Sequence, residues 1–208
     1  MSAVAPPVPE VTRREGFAAW SRSLCDMKNR TPEELEAGLA HILDAPADDG
    51  ELELIVRRPE VDQRESIDPG VLDVESGLVG DTWAVRGGSG ADRDGADVLA
   101  QLTLMNSRAI KIIAGPVHRW PLAGDQLYAD LDVSHDNLPA GTKLAVGEAE
   151  IEVTAKPHTG CGKFIQRYGV AAQRWVNSPT GRRLRLRGVN ARVVKPGTIR
   201  VGDRIKKA

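Results

Sequence analysis

From Gly50 onward the chain is a succession of short apolar runs separated by Gly, Pro, Asn and Asp. Glu51-Leu52-Glu53-Leu54-Ile55-Val56 alternates early and is β-branched late, as a half-buried strand does. Comparable runs follow at 100–105, 127–131, 143–146, 149–155, 189–194 and 198–201. Gly147-Glu148 joins two of them as a tight hairpin, and Pro196-Gly197 reads as another turn. Many short strands with frequent turns have exposed edges unless the sheet curls on itself. The pattern therefore predicts a mainly β (α+β) domain built on a closed or strongly curved sheet. One amphipathic helix is predicted from Phe164 to Val176, with Phe164, Tyr168, Ala172 and Trp175 on one side, stopped by Asn177-Ser178-Pro179.

The N-terminal fifty residues have a different texture. Residues 1–12 read as a flexible Ala/Pro/Val-rich tail without the basic and apolar regions of a signal peptide. Residues 13–50 read as a helical arm of two helices. Phe17, Trp20 and Leu24 share one face of the first, which carries Cys25 as a structural thiol. Thr31-Pro32-Glu33-Glu34 supplies a cap, a first-position proline and an acidic first turn to the second, and Leu35, Leu39, Ile42 and Leu43 supply its apolar stripe. The β-domain then takes residues 51–208. Net charge is -1 and aromatics are 4%, which argues against a nucleic-acid surface. No run is long and apolar enough for a membrane span. Two distant cysteines in unlike contexts point to a reducing, cytoplasmic compartment rather than a disulfide framework.

Chemistry concentrates at Pro157-His158-Thr159-Gly160-Cys161-Gly162-Lys163, between a strand-like and a helix-like segment. Glycines on both sides permit a sharp turn and close approach of a ligand. His158 and Lys163 are cationic neighbours able to favour the thiolate, the form that attacks and binds metals. A structural zinc site lacks a second Cys/His pair at ligand spacing. Asp130 and Asp132 share a face if extended, which suits acid–base work or a hard cation as well as a solvated surface. Asn137-Leu138-Pro139 fits either an Asx turn or a polar ligand contact. Arg183, Arg185 and Arg187 would form one row on an extended strand, suited to phosphate, and Lys163 and Arg167 would join it if the helix packs alongside. The Gly-Asp steps at 80–81, 124–125 and 202–203 read as turns braced by aspartate. Asp81 to Asp97 is glycine- and charge-rich, either a surface loop or a rim of the site.

Taken in order, several pieces resemble the MOSC domain, the module at the C-terminus of molybdenum cofactor sulfurases and of stand-alone proteins. They are Gly77-Leu78-Val79-Gly80-Asp81-Thr82-Trp83, Gly124-Asp125-Gln126-Leu127 and Asn137-Leu138-Pro139-Ala140-Gly141-Thr142-Lys143-Leu144. Gly147-Glu148-Ala149, Val153-Thr154, Pro157-His158-Thr159-Gly160-Cys161 and Gly197-Thr198-Ile199-Arg200-Val201-Gly202-Asp203 complete them. The resemblance runs from Leu52 to Lys206 and implies a β-barrel with the N-terminal helices outside it. It implies that Cys161 carries sulfur as a persulfide or ligates molybdenum, with His158, Lys163, Gly160, Asn137 and Asp130 around it. Arg167, Arg183, Arg185 and Arg187 would then contact an anionic ligand such as the phosphate of molybdopterin. Large relatives make the sulfur in a separate pyridoxal-phosphate domain. This chain has no length for one, so a cysteine desulfurase is the implied partner, with a small pterin or sulfur acceptor as substrate and a homodimer as one assembly. Four readings stay open: a sulfur-transfer or cofactor-handling enzyme, a non-catalytic pterin or anion-binding module, a reductase of N-hydroxylated compounds, and a structural partner-binding protein that docks through its amphipathic N-terminal helices. Trp83 stands where the family often has histidine.

Overall fold

The computed structural model describes residues 29–85 and 96–208. The first predicted helix, Cys25 and most of the glycine-rich loop lie outside the described residues. Among the described residues eleven strands follow in chain order: β1 (Gly50–Arg57), β2 (Glu65–Ser66), β3 (Gly70–Asp73), β4 (Gly77–Leu78), β5 (Leu102–Asn106), β6 (Leu127–Asp130), β7 (Lys143–Val146), β8 (Ala149–Val153), β9 (Val189–Lys195), β10 (Gly197–Ile199) and β11 (Arg204–Lys207). Seven of them close a barrel in the order β1-β6-β5-β9-β8-β7-β11, with β11 pairing back onto β1 at Gly50–Ile205 and Glu51–Arg204. Closure removes the edges that the strand pattern would otherwise expose. β2 extends β1, and β10-β3-β4 form a small separate sheet. The predicted hairpin is present, with Val146 opposite Ala149 across Gly147-Glu148.

The barrel interior is filled by Leu52, Ile55, Leu104, Leu127, Ile151 and Ile205 among others, all fully buried. Each such side chain contributes about 1.5–3 kcal/mol through burial. β1 changes register against β6 between Leu52 and Leu54. The irregularity at Glu53 sends Leu52 and Ile55 inward while Leu54 and Val56 face a second apolar cluster outside the wall. That cluster is covered by helices: α1 (Pro32–Ala37), α2 (Leu39–Leu43), α3 (Ser107–Ala114) and α4 (Gly162–Asn177). Thr31 caps α1 in a full capping box with Glu34. Leu35 and Ile42 are buried in the cluster, so this part of the arm packs on the barrel wall; Leu43 is 58% exposed and leaves the expected stripe.

β5 and β6 are the parallel pair, and parallel neighbours need a crossover. α3 and the 3-10 segment Val117–Ala123 provide it, and the chain re-enters the wall through Leu122-Ala123-Gly124-Asp125. This corner is where the candidate site is built.

The predicted helix after Cys161 is not continuous. Gly169, with φ 85° and ψ 169°, breaks α4 into two segments, and the second turns back so that Asn177 bonds Gly160. Phe164, Tyr168, Ala172 and Val176 are buried, whereas Trp175 is partly exposed with its indole N–H on Glu36. The sequence pattern could not show the break because the four-residue spacing of apolar positions persists across it. Asn177 does end α4, but Ser178-Pro179 opens a further helix, α5 (Pro179–Arg183), with Ser178 as its cap. Gly169→Ala is expected to lose about 1–3 kcal/mol, because only glycine occupies that backbone region readily. A Cβ there would also meet Asn29 at 2.8 Å. Urea denaturation of the variant against wild type measures it.

Candidate functional site

Three consecutive backbone carbonyls at the crossover's end each accept from a different arginine. Arg167 Nη1 donates to Leu122 O at 2.6 Å, Arg187 Nη2 to Ala123 O at 2.8 Å and Arg58 Nη1 to Gly124 O at 2.9 Å. These arginines come from α4, from the segment before β9 and from the end of β1. Gly124, at φ 91°, has a bare face toward the guanidinium groups of Arg64 and Arg167. Arg58, Arg64, Lys163, Arg167 and Arg187 therefore gather at one corner.

Carboxylates offset part of this charge. Asp81 grips Arg58 through both oxygens, at 2.7 and 2.8 Å, and also accepts from the backbone N–H groups of Arg58 and Trp83. Asp125 is fully buried and pairs with Arg187 Nη1 at 2.6 Å. Its other oxygen lies 3.5 Å from His158 Nδ1, and neither of those two atoms has a hydrogen-bond partner among the described residues. Burial pushes the Asp125 carboxyl up, opposed by Arg187. Burial, with Arg187 and Arg58 nearby, holds His158 well below the usual histidine range.

Burial thus disfavours the cationic form of His158, which works against the cationic neighbour expected for the thiol. Its titration carries a stability signature. A histidine whose folded pKa is depressed stabilises the fold above its unfolded pKa of about 6.5, and that stability is lost as pH falls below it. His158→Gln is therefore expected to flatten the loss of unfolding free energy between pH 7.5 and 5.5 relative to wild type; equal slopes in parallel denaturation series would contradict it.

Cys161 is exposed and is the N-terminal cap residue of α4, with no cap hydrogen bond from its side chain. The turn before it is pinned: Gly160 N–H donates to Asn177 Oδ1, and Gly160 O accepts from Asn177 and Gln173. Neither Gly160 nor Gly162 has a left-handed φ. Space at Gly160 is tight, since a Cβ would lie 3.0 Å from Val176 Cγ2, while Gly162 has open space on its flank. Residues on both sides of the thiol touch the corner. His158 faces Asp125, the Phe164 ring lies 5.1 Å beneath the Arg187 guanidinium, and Lys163 and Arg167 both reach Asp62. Cys161 therefore sits at the edge of the arginine corner, on a scaffold held from both sides.

The other expected residues divide. Arg167 and Arg187 are in the corner. The row of Arg183, Arg185 and Arg187 does not form, because 179–183 is helix and Arg185 has φ 49° in a turn. Arg183 instead faces Asp136 at 3.6 Å in solvent, and Arg185 donates to Leu138 O. Asp130 lies at the far end of β6 from Asp125, about 16 Å along an extended strand, and is held bidentately by Arg108 at 2.6 and 2.9 Å. Asp132 braces the next loop through Ser134, so the two carboxylates do not act as a pair. Asn137 is a brace too, donating to Ala47 O and Asp132 O and accepting from Lys207. Sequence reasoning missed Arg58, Arg64 and Asp62, and read Asp81 and Asp125 as turn residues. Of the three Gly-Asp steps only Asp203 serves chiefly as a turn brace, on Arg200 N–H. The signal for Asp125 was its neighbour Gln126: a polar pair leading directly into an apolar strand has to find buried partners, and Gln126 finds Thr103 and Gln101. Trp83 is buried, with its indole N–H on Asp97 O.

The fold and site together are a closed seven-stranded barrel with an exposed thiol at the edge of an arginine-lined corner. The MOSC domain family model matches residues 100–206, more than half of the chain, and the chain belongs to that family. Among solved structures, the YuaD protein from Bacillus subtilis is similar over 75% of this chain and 93% of its own, at 17% identity and TM-score 0.57. A hypothetical protein of solved structure is similar over 76% of this chain and 67% of its own, at 20% identity and TM-score 0.51. YiiM from Escherichia coli covers 76% of this chain and 69% of its own at 18% identity, with TM-score 0.47. The first two likenesses establish a shared fold. No curated protein matches the chain. Among the described residues no helix is long and apolar enough to cross a membrane.

Proposed function

We propose that this protein carries or transfers sulfur on Cys161, with the arginine corner holding the anionic end of the acceptor. The observation that supports it most is the placement of an exposed, unbonded thiol between His158 and Lys163, both of which reach into the cationic corner. A persulfide donor of the cysteine desulfurase type would react as follows. The Cys161 thiolate attacks the outer sulfur of the donor persulfide, the donor S–S bond breaks with its electron pair leaving on the donor thiolate, and Cys161 becomes the persulfide. No external oxidant is needed.

The family also implies the molybdenum cofactor. The donor set fits it: Cys161 offers a soft thiolate, and Lys163 and Arg167 offer donors to a phosphate. Among the described residues there is no cluster of three or more His, Cys, Asp or Glu that could hold a metal ion. When bound, that group would supply redox or sulfur-accepting chemistry. This chain's residues would contribute a thiolate ligand, a phosphate clamp and a wall of buried Asp125 and partly buried His158. The test is the intact mass of the protein after incubation with a cysteine desulfurase and cysteine. A gain of one sulfur, removed by dithiothreitol, is expected; an unchanged mass overturns the carrier reading.

A further inference from the structure

A cavity of about 430 Å³ lies on the outer face of the barrel wall, at the opposite end of β6 from the arginine corner. Glu53 of β1, Asp130 of β6 and Ser107, Arg108 and Lys111 of α3 line it, with Val117 and Trp120 of the crossover as its apolar side. Its walls are pinned. Arg108 holds Asp130 through both carboxylate oxygens, and its Nη1 donates to His41 O of α2 at 3.1 Å. The Trp120 indole N–H donates to Gly115 O at 3.0 Å, and Trp120 O accepts from the Tyr128 hydroxyl. A cavity tied down from several elements is preformed, and its volume is in the range of small-molecule sites. Arg108 and Asp130 are spent on each other. Among the described residues neither Glu53 nor Lys111 is in a salt bridge. Glu53 sits at the register shift of β1 between Leu52 and Leu54, and such an irregularity re-aims a side chain away from the ladder. Its carboxylate faces the Ser107 hydroxyl, and Lys111 stands four residues on, on the same face of α3. Burial against the walls pushes the Glu53 carboxyl up, opposed by Ser107 and Lys111, while Asp130 and Glu51 add to the rise.

The cavity thus presents one uncommitted carboxylate and one uncommitted ammonium, about a helical turn apart, beside Val117, which is 54% exposed. A ligand charged with one sign alone meets a like charge on the facing wall: a cation meets Lys111, and an anion meets Glu53. A zwitterion with its two charges on neighbouring atoms meets an opposite charge at each end. We infer that this cavity binds a free α-amino acid with a small apolar side chain. Its ammonium sits on Glu53, its carboxylate on Lys111, and its side chain against Val117 and Trp120. Asp130 is already neutralised by Arg108, so it shapes the wall and does not compete for the ammonium. Cys161 takes no part, and the sulfur-carrier reading neither supports nor needs this site.

The experiment is a proton–nitrogen chemical-shift titration of the full chain with L-valine, and with isobutylamine and isovalerate, which lack its carboxylate and its ammonium respectively. Saturable shifts with valine are expected at the amides of α3 and of Val117, with a dissociation constant of about 1 mM, as two solvent-facing ion pairs allow. Each single-charge analogue should bind about five-fold more weakly or worse. Glu53→Gln and Lys111→Gln stand at exposed positions, so both variants should keep the barrel's spectrum, and each should weaken valine about five-fold. Selectivity should divide between them. Glu53→Gln loses the preference for valine over isovalerate, and Lys111→Gln loses the preference over isobutylamine, which a general disturbance of the fold would not produce. Cys161→Ala should bind valine as wild type does. Absence of saturable shifts around α3 overturns the inference, as does an analogue binding as tightly as valine or wild-type valine affinity in either charge variant.

Discussion

Replacing Arg187 with methionine is expected to cost about 3–5 kcal/mol of folding stability. The guanidinium is 7% exposed and has three attachments: Asp125 at 2.6 Å, Ala123 O at 2.8 Å and the face of Phe164. Methionine keeps most of the volume against Phe164 but leaves the Asp125 carboxylate and one backbone carbonyl buried without their donor. Breaking a buried pair from one side is what makes it costly, since the remaining charge still bears its desolvation. Burial already pushes the Asp125 carboxyl up with Arg187 present. Without Arg187 it would bind a proton more readily still, so the loss should be smaller at low pH than at neutral pH. The double variant Arg187→Met with Asp125→Leu should recover part of the loss, because no orphaned charge remains. Denaturant unfolding of the two single variants and the double gives the cycle. A single-variant loss under about 1 kcal/mol would mean that the pair is solvated and does not anchor the corner.

The barrel was legible in the sequence because its determinants are local. Each predicted strand run from Glu51 onward falls on or within about two residues of an observed strand, and the Gly147-Glu148 hairpin has the expected register. Burial on alternate residues is a short-range signal, and a strand whose inner face must fill a barrel displays it. The site was only partly legible. Cys161 stood out because its neighbours are glycines and cations rather than aliphatic residues. Arg58, Asp81 and Asp125 did not, because an Arg-Asp pair separated by 23 residues, as Arg58 and Asp81 are, leaves no periodic trace. The arginine row failed for a related reason. Alternating Arg and Leu at 183–187 imitates a strand, yet Ser178-Pro179 starts a helical turn whose i-to-i+4 bonds take the segment first. The spacing of charges was read correctly but on the wrong backbone, and one arginine of three reached the site. Asp130 and Asn137 have the polarity of site residues and the partners of loop braces, a distinction that exists only in three dimensions.

Cys161→Ser is expected to abolish sulfur loading completely while leaving folding intact or slightly improved. The two effects separate because of where the residue sits. The thiol is exposed and makes no cap hydrogen bond, so no packing or bond is lost with it. Residue 161 is the N-terminal cap of α4 in extended conformation, with φ -99°. Serine is a preferred residue there and would accept from a first-turn N–H that cysteine leaves unpaired by its side chain, a gain of up to about 1 kcal/mol. The hydroxyl, however, cannot take the place of a thiolate as the attacking group on a persulfide, since it does not ionise near neutral pH and forms no persulfide. Intact mass after desulfurase treatment should therefore show one added sulfur on wild type and none on Cys161→Ser, with the variant's denaturation midpoint at or above that of wild type. Sulfur appearing on the variant would place the chemistry elsewhere, at the remaining thiol Cys25. A fall in the midpoint would mean that Cys161 contributes to packing and that loss of loading alone cannot be assigned to chemistry. Phosphate binding measured on the same variant completes the separation. It should be unchanged, because the cations proposed to hold the anion come after the thiol on α4 and from the β1–β2 turn, and none of them is held in place through the sulfur.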